Sequence, residues 1–391
     1  MFWKDRLRVA LRMMGYPEAW TFGPRQAFGF LRYLSRTRPT WRGGVAELNA
    51  YSPPVGGEGF RRYLRGLQRI SRGEWAPLVA HVSVTDRCGY RCERCSNIAR
   101  GAADPPLDRL SRLLDDLRIA GTSRVALTGG EPALRDDLAG IVKACGPGLS
   151  PLFFTSGQGL DAQRARELHG AGLTAAFVSL DHFAAEEHDR IRGRAGAFVQ
   201  AVGAIKACLA AGIYTAAQAV VEPPLLQDGV LERYLEFCRR LGVHEVMLLE
   251  PVPVGRPGPS GGMGEAARGR LAEVHVRAAR DAALPKVSSM SFLEGPDLLG
   301  CQAGFSFLYV TAQGDVFPCD FAPLSFGNVY EVGVAGILER LRRLLKRPSQ
   351  ACLALRVRRL YDSSAVRPLS WEETQAVLRD YEPGPPPGLL G

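Results

Sequence analysis

The chain has 391 residues, 46% of them hydrophobic and 23% charged, which is the composition of a globular protein long enough for two or three domains. Its nine cysteines lack the paired spacing of a secreted disulfide framework, and no apolar run approaches the ~20 residues of a membrane-spanning helix. Arg8 and Arg12 interrupt the apolar core that a signal peptide would need, so we expect a cytoplasmic protein.

Residues 1–76 are predicted to form a basic, aromatic-rich helical segment. Residues 1–80 contain fourteen Lys and Arg against five Asp and Glu, a net charge of +9 that equals the charge of the whole chain. Helical spacing places several apolar residues on one face: Trp3, Leu7, Ala10, Leu11 and Met14. This face either binds an anionic membrane surface, at the inner face of the membrane, or an acidic partner, or else it packs on the protein's own core. Nucleic acid is a weaker candidate, because no known nucleic-acid module accompanies the basic residues.

Residues 77–290 alternate strand-like apolar runs with helical patterns. We predict strands near 78–84, 124–128, 151–155, 175–180, 213–221 and 245–250. Repeated strand–helix units imply an α/β fold with a parallel sheet.

Three cysteines, Cys88, Cys92 and Cys95, follow the first of these strands with the spacing C-x3-C-x2-C. Three thiolates on one short loop can bind three irons of a cubane [4Fe–4S] cluster and leave the fourth iron open. A zinc site or a disulfide pair is the alternative. Zinc sites, however, prefer paired C-x2-C units and four ligands, and no second pair exists in the sequence.

The second predicted strand opens into a Gly-Gly-Glu-Pro turn, formed by Gly129, Gly130, Glu131 and Pro132. Together with the cysteine loop, this turn resembles the two defining motifs of the radical SAM superfamily. The resemblance implies a partial (β/α)6 TIM-type barrel with the site at the carboxyl ends of the strands. It also implies that S-adenosylmethionine binds the open iron and is reductively cleaved to a 5′-deoxyadenosyl radical, with an electron donor such as flavodoxin or ferredoxin.

Further residues take roles only through this resemblance. The four residues of the Gly-Gly-Glu-Pro turn would bind the methionine end of the cofactor, Ser179 its ribose and Arg192 its carboxylate. Asp181 and Glu250 are the candidate catalytic residues. The segment around Glu250 and Gly255-Arg256 would lie near the adenine, and Arg94 replaces an aromatic residue that many members place against the adenine.

A second cysteine set lies in residues 291–381. Cys301, Cys319 and Cys352 resemble the SPASM/twitch extension, in a shortened twitch-like α+β form that implies one auxiliary [4Fe–4S] cluster. Its fourth ligand is open between a side chain such as Asp320 and the substrate. The turn at 312–315 predicts a hairpin, the single cysteines 145, 208 and 238 are expected to be buried, and residues 382–391 are predicted to be a disordered tail.

The resemblance implies an enzyme that abstracts a substrate hydrogen atom, with the auxiliary cluster aiding oxidation, bond formation or substrate binding. The motifs do not identify the substrate, because many chemistries share this fold. The basic aromatic segment favours a lipid-like or membrane-associated substrate, and the SPASM-type extension favours a ribosomally made peptide. The non-enzymatic alternative is an iron–sulfur or zinc-binding scaffold.

Overall fold

The structure is a computed structural model that describes residues 2–49, 51–72, 74–97, 103–227, 229–252, 263–296, 298–360, 367–379 and 381–383. Its strands, in chain order, are β1 (Thr40–Arg42), β2 (Val45–Glu47), β3 (Val79–Thr85), β4 (Arg124–Gly129), β5 (Ser150–Thr155), β6 (Ala175–Ser179), β7 (Tyr214–Val220), β8 (Glu245–Leu249), β9 (Val287–Ser289), β10 (Phe307–Val310) and β11 (Val316–Phe317).

The α-helices are α1 (Trp3–Met14), α2 (Pro24–Ser35), α3 (Glu58–Ser71), α4 (Leu107–Ala120), α5 (Leu138–Ala144), α6 (Ala162–Gly170), α7 (Ala185–Arg192), α8 (Ala197–Ala210), α9 (Val230–Leu241), α10 (Glu265–Ala278), α11 (Met290–Leu293), α12 (Val329–Leu344), α13 (Leu353–Val357) and α14 (Trp371–Leu378). Short 3-10 turns connect some of them. Of the predicted tail, residues 384–391 lie outside the described residues.

The six predicted strands are confirmed as β3 to β8. They pair in parallel in chain order, and helices connect successive strands. Side chains alternate between the two faces of the sheet. On β6, for example, Ala176 and Val178 pack outward against the helices, whereas Ala175 and Phe177 point into a second, inner apolar cluster. This inner cluster fills the predicted partial barrel.

Additional strands extend the barrel sheet at both ends, and the sequence patterns did not predict that these strands would join it. The order is β11-β10-β3-β4-β5-β6-β7-β8-β9, so the C-terminal hairpin of β10 and β11 joins the sheet at β3. The hairpin confirms the turn expected at 312–315, where Gly314 adopts a φ of 97°. Trp75 adds a further tie, because its indole N–H donates to the carbonyl of Gly304 at 2.7 Å. The C-terminal region is therefore built onto the edge of the barrel.

A buried charged network closes the amino ends of the barrel strands. Lys286 Nζ lies 3.2 Å from Glu245 Oε2 and donates to the hydroxyl of Tyr214 and to the backbone carbonyl of Glu47, each at 3.0 Å. The Tyr214 hydroxyl in turn donates to Glu245 at 2.6 Å. Because Glu47 belongs to β2, the N-terminal segment forms part of the barrel floor.

The predicted amphipathic helix is present as α1, and its core-facing side differs from the predicted apolar stripe. Val9 and Met13 are the residues that pack inside, in a cluster with Leu34, Phe60 and Leu64. Four of the five residues of the predicted stripe lie outside instead: Trp3, Leu7, Leu11 and Met14 are between 49% and 59% exposed, and only Ala10 packs partly against the inner cluster. The interpretation that this stripe packs on the protein's own core is therefore wrong. Within the described residues, no helix is both long enough and apolar enough to cross a bilayer.

The barrel floor gives a stability prediction. Lys286→Met keeps most of the side-chain volume but removes the cation in contact with the buried carboxylate of Glu245, leaving Arg124 nearby, and breaking a buried ion pair typically costs about 3 kcal/mol or more. We expect the free energy of unfolding, measured by urea titration with circular dichroism, to fall by that amount. Lys143→Met, at an exposed position of α5, is the control. Equal stability of the two variants would contradict an ionic contribution from the network.

Candidate active site

The loop that carries Cys88, Cys92 and Cys95 lies at the carboxyl end of β3, with all three cysteines partly exposed. Its middle is fixed by the end of α7 through backbone hydrogen bonds. The N–H of Arg91 donates to the carbonyl of Arg192 at 3.2 Å, and the N–H of Glu93 donates to that of Ile191 at 3.0 Å. The loop therefore takes its shape from backbone contacts with a separate helix.

The start of the same loop is tied to the C-terminal hairpin through Asp86. This carboxylate is buried and accepts hydrogen bonds from the side-chain amides of Asn97, at 3.1 Å, and of Gln313, at 2.5 Å. Gln313 lies in the turn between β10 and β11, so the C-terminal region contacts the base of the cysteine loop directly.

The glycines of the Gly-Gly-Glu-Pro turn are required by close packing against this loop. A Cβ on Gly129 would overlap the carbonyl oxygen of Thr85, and a Cβ on Gly130 would overlap that of Arg87. The N–H groups of Gly130 and Glu131 donate to those same two carbonyls at 2.7 Å. The two motifs identified in the sequence thus form one backbone unit, and any side chain at either glycine would separate them.

Glu131 is fully buried and is held by four donors. Its Oε1 accepts from the N–H of Ala133 at 3.1 Å and from the hydroxyl of Thr155 at 2.7 Å. Its Oε2 accepts from the N–H and the hydroxyl of Ser156, at 2.6 and 2.5 Å. Burial raises the pKa of this carboxyl. Because a carboxylate has about four acceptor positions, a bound ammonium group would have to displace a donor, and the rotatable Ser156 hydroxyl is the simplest to move.

Arg192 and Asp181 form a buried pair beside the cysteine loop. Arg192 Nη2 lies 2.6 Å from Asp181 Oδ2, and its Nη1 lies 3.9 Å from the sulfur of Cys92. Asp181 also accepts from the backbone N–H of Val220 at 3.2 Å. The guanidinium thus places a positive charge next to a thiol of the loop, and Asp181 holds the guanidinium in position. Ser179, the last residue of β6, lies two residues before Asp181 on the same edge of the sheet.

His188 and Asp189, two neighbouring residues of α7, each make hydrogen bonds that support the site. The Asp189 carboxylate accepts the backbone N–H groups of Gly196 and Phe198, at 2.6 and 2.8 Å, and so holds the start of α8. His188 is buried and accepts the N–H of Asp181 at 3.1 Å, and burial lowers the pKa of its imidazole to about 4. Both residues support the segment that positions Arg192.

Two residues expected near the adenine are paired with other side chains. The Arg94 guanidinium forms an ion pair with Glu222, and Glu250 accepts from Arg268 Nε at 2.8 Å and from the Ser291 hydroxyl at 2.7 Å. The third expected position, Gly255-Arg256, lies outside the described residues.

The three single cysteines expected in the core, 145, 208 and 238, are buried as predicted.

The second cysteine set converges on one cavity of about 1180 Å³, which Cys301, Cys319 and Cys352 all line. The N–H of Leu353 donates to the sulfur of Cys301 at 3.5 Å. The Cys301 thiol lies within hydrogen-bond reach of the sulfur of Cys352 and lowers the pKa of the Cys352 thiol, with help from the N–H groups of Leu355 and Ala354 in α13. Cys301 and Cys352 lie 51 positions apart in the chain, with Cys319 between them, and the fold places all three thiols on the wall of one cavity.

Asp320 connects this cavity to the barrel. It lines the cavity, and one of its carboxylate oxygens lies 2.9 Å from Nδ1 of His81, a buried residue of β3. The His81 ring lies against Phe307 of β10 and is stacked on Tyr51, with ring centroids 4.5 and 6.5 Å apart. Neither His81 nor Tyr51 was predicted, because neither belongs to a motif and both lie at least 220 positions before Cys301, the first cysteine of the cavity.

Both cysteine sets fit iron–sulfur clusters in the chemistry of their donors. Each offers three thiols, and the thiolates of a cubane cluster bind separate irons. In the part of the chain that the structure describes, no group of three or more His, Cys, Asp or Glu side chains is placed to hold a single metal ion.

Two family profiles match the chain. The Radical SAM superfamily matches residues 82–247, and an iron–sulfur cluster-binding domain, SPASM, matches residues 301–354. The first match contains the cysteine loop and the Gly-Gly-Glu-Pro turn, and the second contains all three cysteines of the cavity.

Curated relatives and solved structures agree with these matches. The chain is 26% identical to the AdoMet-dependent heme synthase of Methanosarcina barkeri, over 66% of this chain and 80% of that protein. It is 30% identical to the PqqA peptide cyclase of Ruegeria pomeroyi, over 63% of this chain and 68% of that protein. The crystal structure of Streptococcus suis SuiB bound to S-adenosylmethionine has the same fold, with a TM-score of 0.58 at 15% identity, covering 76% of this chain and 75% of that one.

The chain belongs to the radical SAM superfamily. It is accordingly an enzyme that uses a [4Fe–4S] cluster and S-adenosylmethionine, and it carries an additional iron–sulfur cluster-binding domain. The predicted family, fold class and cofactors are confirmed.

The packing of the two motifs gives a second prediction. Gly130→Ala should push the turn away from Arg87 and displace the cysteine loop, and we expect iron content and S-adenosylmethionine cleavage to fall together. Gly203→Ala is the matched control, because a Cβ there, in α8, meets nothing within 4 Å and alanine is the better helix former. Iron analysis after anaerobic reconstitution and chromatography of 5′-deoxyadenosine provide the measurements. A Gly130→Ala protein with full iron content and cleavage would disprove the packing argument.

Proposed function

We propose that this radical SAM enzyme takes a hydrogen atom from an amphiphilic, membrane-associated substrate that lies in the cavity between the barrel and Cys301, Cys319 and Cys352. In this proposal Cys88, Cys92 and Cys95 hold the radical-generating cluster, and the three cavity cysteines hold one auxiliary cluster. Together the bound cofactors supply the reductive cleavage of S-adenosylmethionine that starts hydrogen abstraction. An external one-electron donor such as flavodoxin or ferredoxin supplies the electron.

The chain's own residues bind and orient the cofactor in this proposal. Gly129, Gly130, Glu131 and Pro132 form the wall for its methionine end, Ser179 contacts its ribose, and Arg192 contacts its carboxylate. Asp181 acts as a positioning residue, since its carboxylate is committed to Arg192 and to a backbone N–H of β7. Glu250 is the better candidate for substrate contact, because it lines the cysteine cavity and is only partly buried.

One observation carries the membrane-associated part of the proposal, namely the concentration of exposed apolar side chains in residues 3–31. Seven large hydrophobic residues there are at least 49% exposed: Trp3, Leu7, Leu11, Met14, Trp20, Phe28 and Leu31. Along the rest of the described chain four large hydrophobic residues are exposed, namely Leu107, Ile119, Val199 and Leu360, and they are scattered. Clustered exposed apolar residues mark an interaction surface. Lys4, Arg8 and Arg12 accompany the stripe on α1, a combination that suits an anionic lipid surface.

A modified peptide is the second candidate substrate, and the 30% identity to a PqqA peptide cyclase favours it. That relative's name states a peptide substrate, and this chain shares its fold and cofactors. Peptide binding would not by itself account for the exposed apolar face of α1. Binding to anionic vesicles distinguishes the two candidates, because only a membrane-associated substrate requires the enzyme to bind a bilayer.

Cysteine variants test the assignment of the two clusters. We expect about eight irons per chain in the reconstituted protein, which is two cubane clusters. The triple variant Cys88→Ala, Cys92→Ala, Cys95→Ala should lose about half of the iron and all cleavage of S-adenosylmethionine. Cys319→Ala should also lose about half of the iron but keep uncoupled cleavage, because the cofactor site is in the barrel.

The two variants serve as controls for each other, since the triple variant leaves the cavity cysteines intact and Cys319→Ala leaves the cysteine loop intact. Cys238→Ala, at a buried single cysteine of α9, controls for general loss of folding. Unchanged iron content in single variants at Cys301, Cys319 and Cys352 would rule out the auxiliary assignment. Stoichiometric zinc with no cofactor cleavage would rule out the radical assignment of the first set.

Membrane binding is tested with the double variant Leu7→Glu, Leu11→Glu. Truncation of the N-terminal segment is unsuitable, because Val9, Met13 and Leu34 belong to a buried cluster. Wild-type protein should co-sediment with vesicles that contain phosphatidylserine and dissociate as salt rises, because each basic residue near the surface is worth on the order of 1 kcal/mol and is screened by salt. The double variant should lose most of this binding. Ile119→Glu with Val199→Glu, at exposed positions of α4 and α8, is the matched control. Equal sedimentation of both double variants would contradict the proposal.

A further inference from the structure

A second large cavity, of about 810 Å³, lies between the N-terminal helices and the C-terminal region. Its walls come from α1, α2, α3 and residues 298–305 and 346–348, and neither cysteine set lines it. The volume falls within the ~300–1,000 Å³ typical of small-molecule sites. It therefore has the size of a ligand site but lies outside the one described above.

The lining of this cavity is predominantly apolar. Its apolar lining residues include Phe22, Phe30, Phe60, Leu64, Leu67 and Phe305. The polar groups among the lining residues are few, and the amide of Asn49 is already used, since it donates to the Tyr33 hydroxyl at 2.5 Å. A ligand in this cavity gains mainly from burial of apolar surface, at roughly 25 cal/mol per Å². The cavity therefore favours a hydrocarbon group over a polar group.

The inner end of the apolar cavity meets the cysteine cavity. Tyr33 and Leu298 line both cavities, so these two side chains form the shared wall. Beyond that wall the lining is still mainly apolar but adds charged side chains, among them Glu250, Arg268 and Asp320. An apolar cavity that adjoins one with charged groups matches a molecule with an apolar chain and a polar reacting end.

The outer end of the apolar cavity opens at the exposed apolar face. Met14, Trp20 and Leu31 line the cavity and are also among the most exposed hydrophobic residues of the N-terminal segment. Lys346 and Arg347, both exposed, lie on the same rim. The face proposed to contact the bilayer is thus continuous with the cavity mouth, where a chain from an anionic lipid layer would enter.

We propose that the cavity formed by α1, α2, α3 and residues 298–305 binds the single linear hydrocarbon chain of an amphiphilic substrate, with the polar end of that substrate in the cysteine cavity. This proposal deepens the proposed function and rests on it for the reaction. It adds a binding site, a ligand class and an orientation: the chain lies toward the bilayer, and the polar end lies toward Cys301, Cys319 and Cys352.

Binding of cis-parinaric acid, a fluorescent fatty acid used below its micelle concentration, tests the site in the full reconstituted protein. We expect one saturable site per chain, with displacement of the probe by palmitate. Ala27→Trp fills the cavity from an exposed position of α2 that lines it, and should weaken binding at least tenfold. Ser35→Trp, at an exposed position of the same helix that does not line the cavity, should bind as wild type does. Thermal unfolding of both variants checks that each is folded.

Three results would overturn the proposal: no saturable binding by wild-type protein, Ala27→Trp binding that equals that of Ser35→Trp, or loss of binding in the Leu7→Glu, Leu11→Glu variant. The last result would mean that the probe adsorbs to the surface of α1. Cleavage of S-adenosylmethionine by the wild-type protein is measured in parallel. Cleavage without parinarate binding would reject the cavity proposal alone, whereas absence of cleavage would reject the proposed function.

Discussion

The position of the cysteine loop is the constraint on which the rest of the site depends. The loop is held on one side by the turn at Gly129 and Gly130, whose close approach leaves no space for a side chain. On the other side, the end of α7 fixes it by backbone hydrogen bonds to Arg91 and Glu93. Because these bonds join main-chain atoms, the loop geometry is specified independently of most of its side chains. The loop can therefore keep its thiols partly exposed without losing their arrangement.

Much of what is conspicuous in the sequence around the site has a supporting role in the structure. Asp189 caps α8, His188 orients the backbone at Asp181, and Asp181 in turn holds Arg192 beside Cys92. The Arg192 guanidinium is thus held beside the cysteine loop by a series of hydrogen bonds. Leaving any buried polar atom of this series without its partner would cost free energy. The polarity of a motif is consequently a poor guide to which of its residues touch the cofactor.

The sequence predicted the six central strands and the two cysteine sets, since period-two apolar runs and cysteine spacing are local signals. It did not predict the contacts that join distant segments. The attachment of β10 to β3, the His81–Asp320 pair and the Gln313 contact with Asp86 each link residues more than 220 positions apart. The sequence likewise suggested that Arg94 takes the place of an aromatic residue beside the adenine, whereas in the structure Arg94 forms an ion pair with Glu222. Local patterns carry no information on which partner a charged side chain will find.

The side of α1 that faces the core could not be predicted from local patterns either, and this side bears on the choice of substrate. Spacing groups Trp3, Leu7, Leu11 and Met14 on one side of the helix, but a short helix with apolar residues on more than one side can turn either side inward. Val9 and Met13 occupy the inward side because they meet Leu34 and Phe60, which only the folded chain brings close. The larger apolar side is then left outside, on a segment that also closes the barrel floor through Glu47. The exposed apolar side of α1 is therefore held on the barrel by the fold itself, and Met14 of that side also lines the apolar cavity.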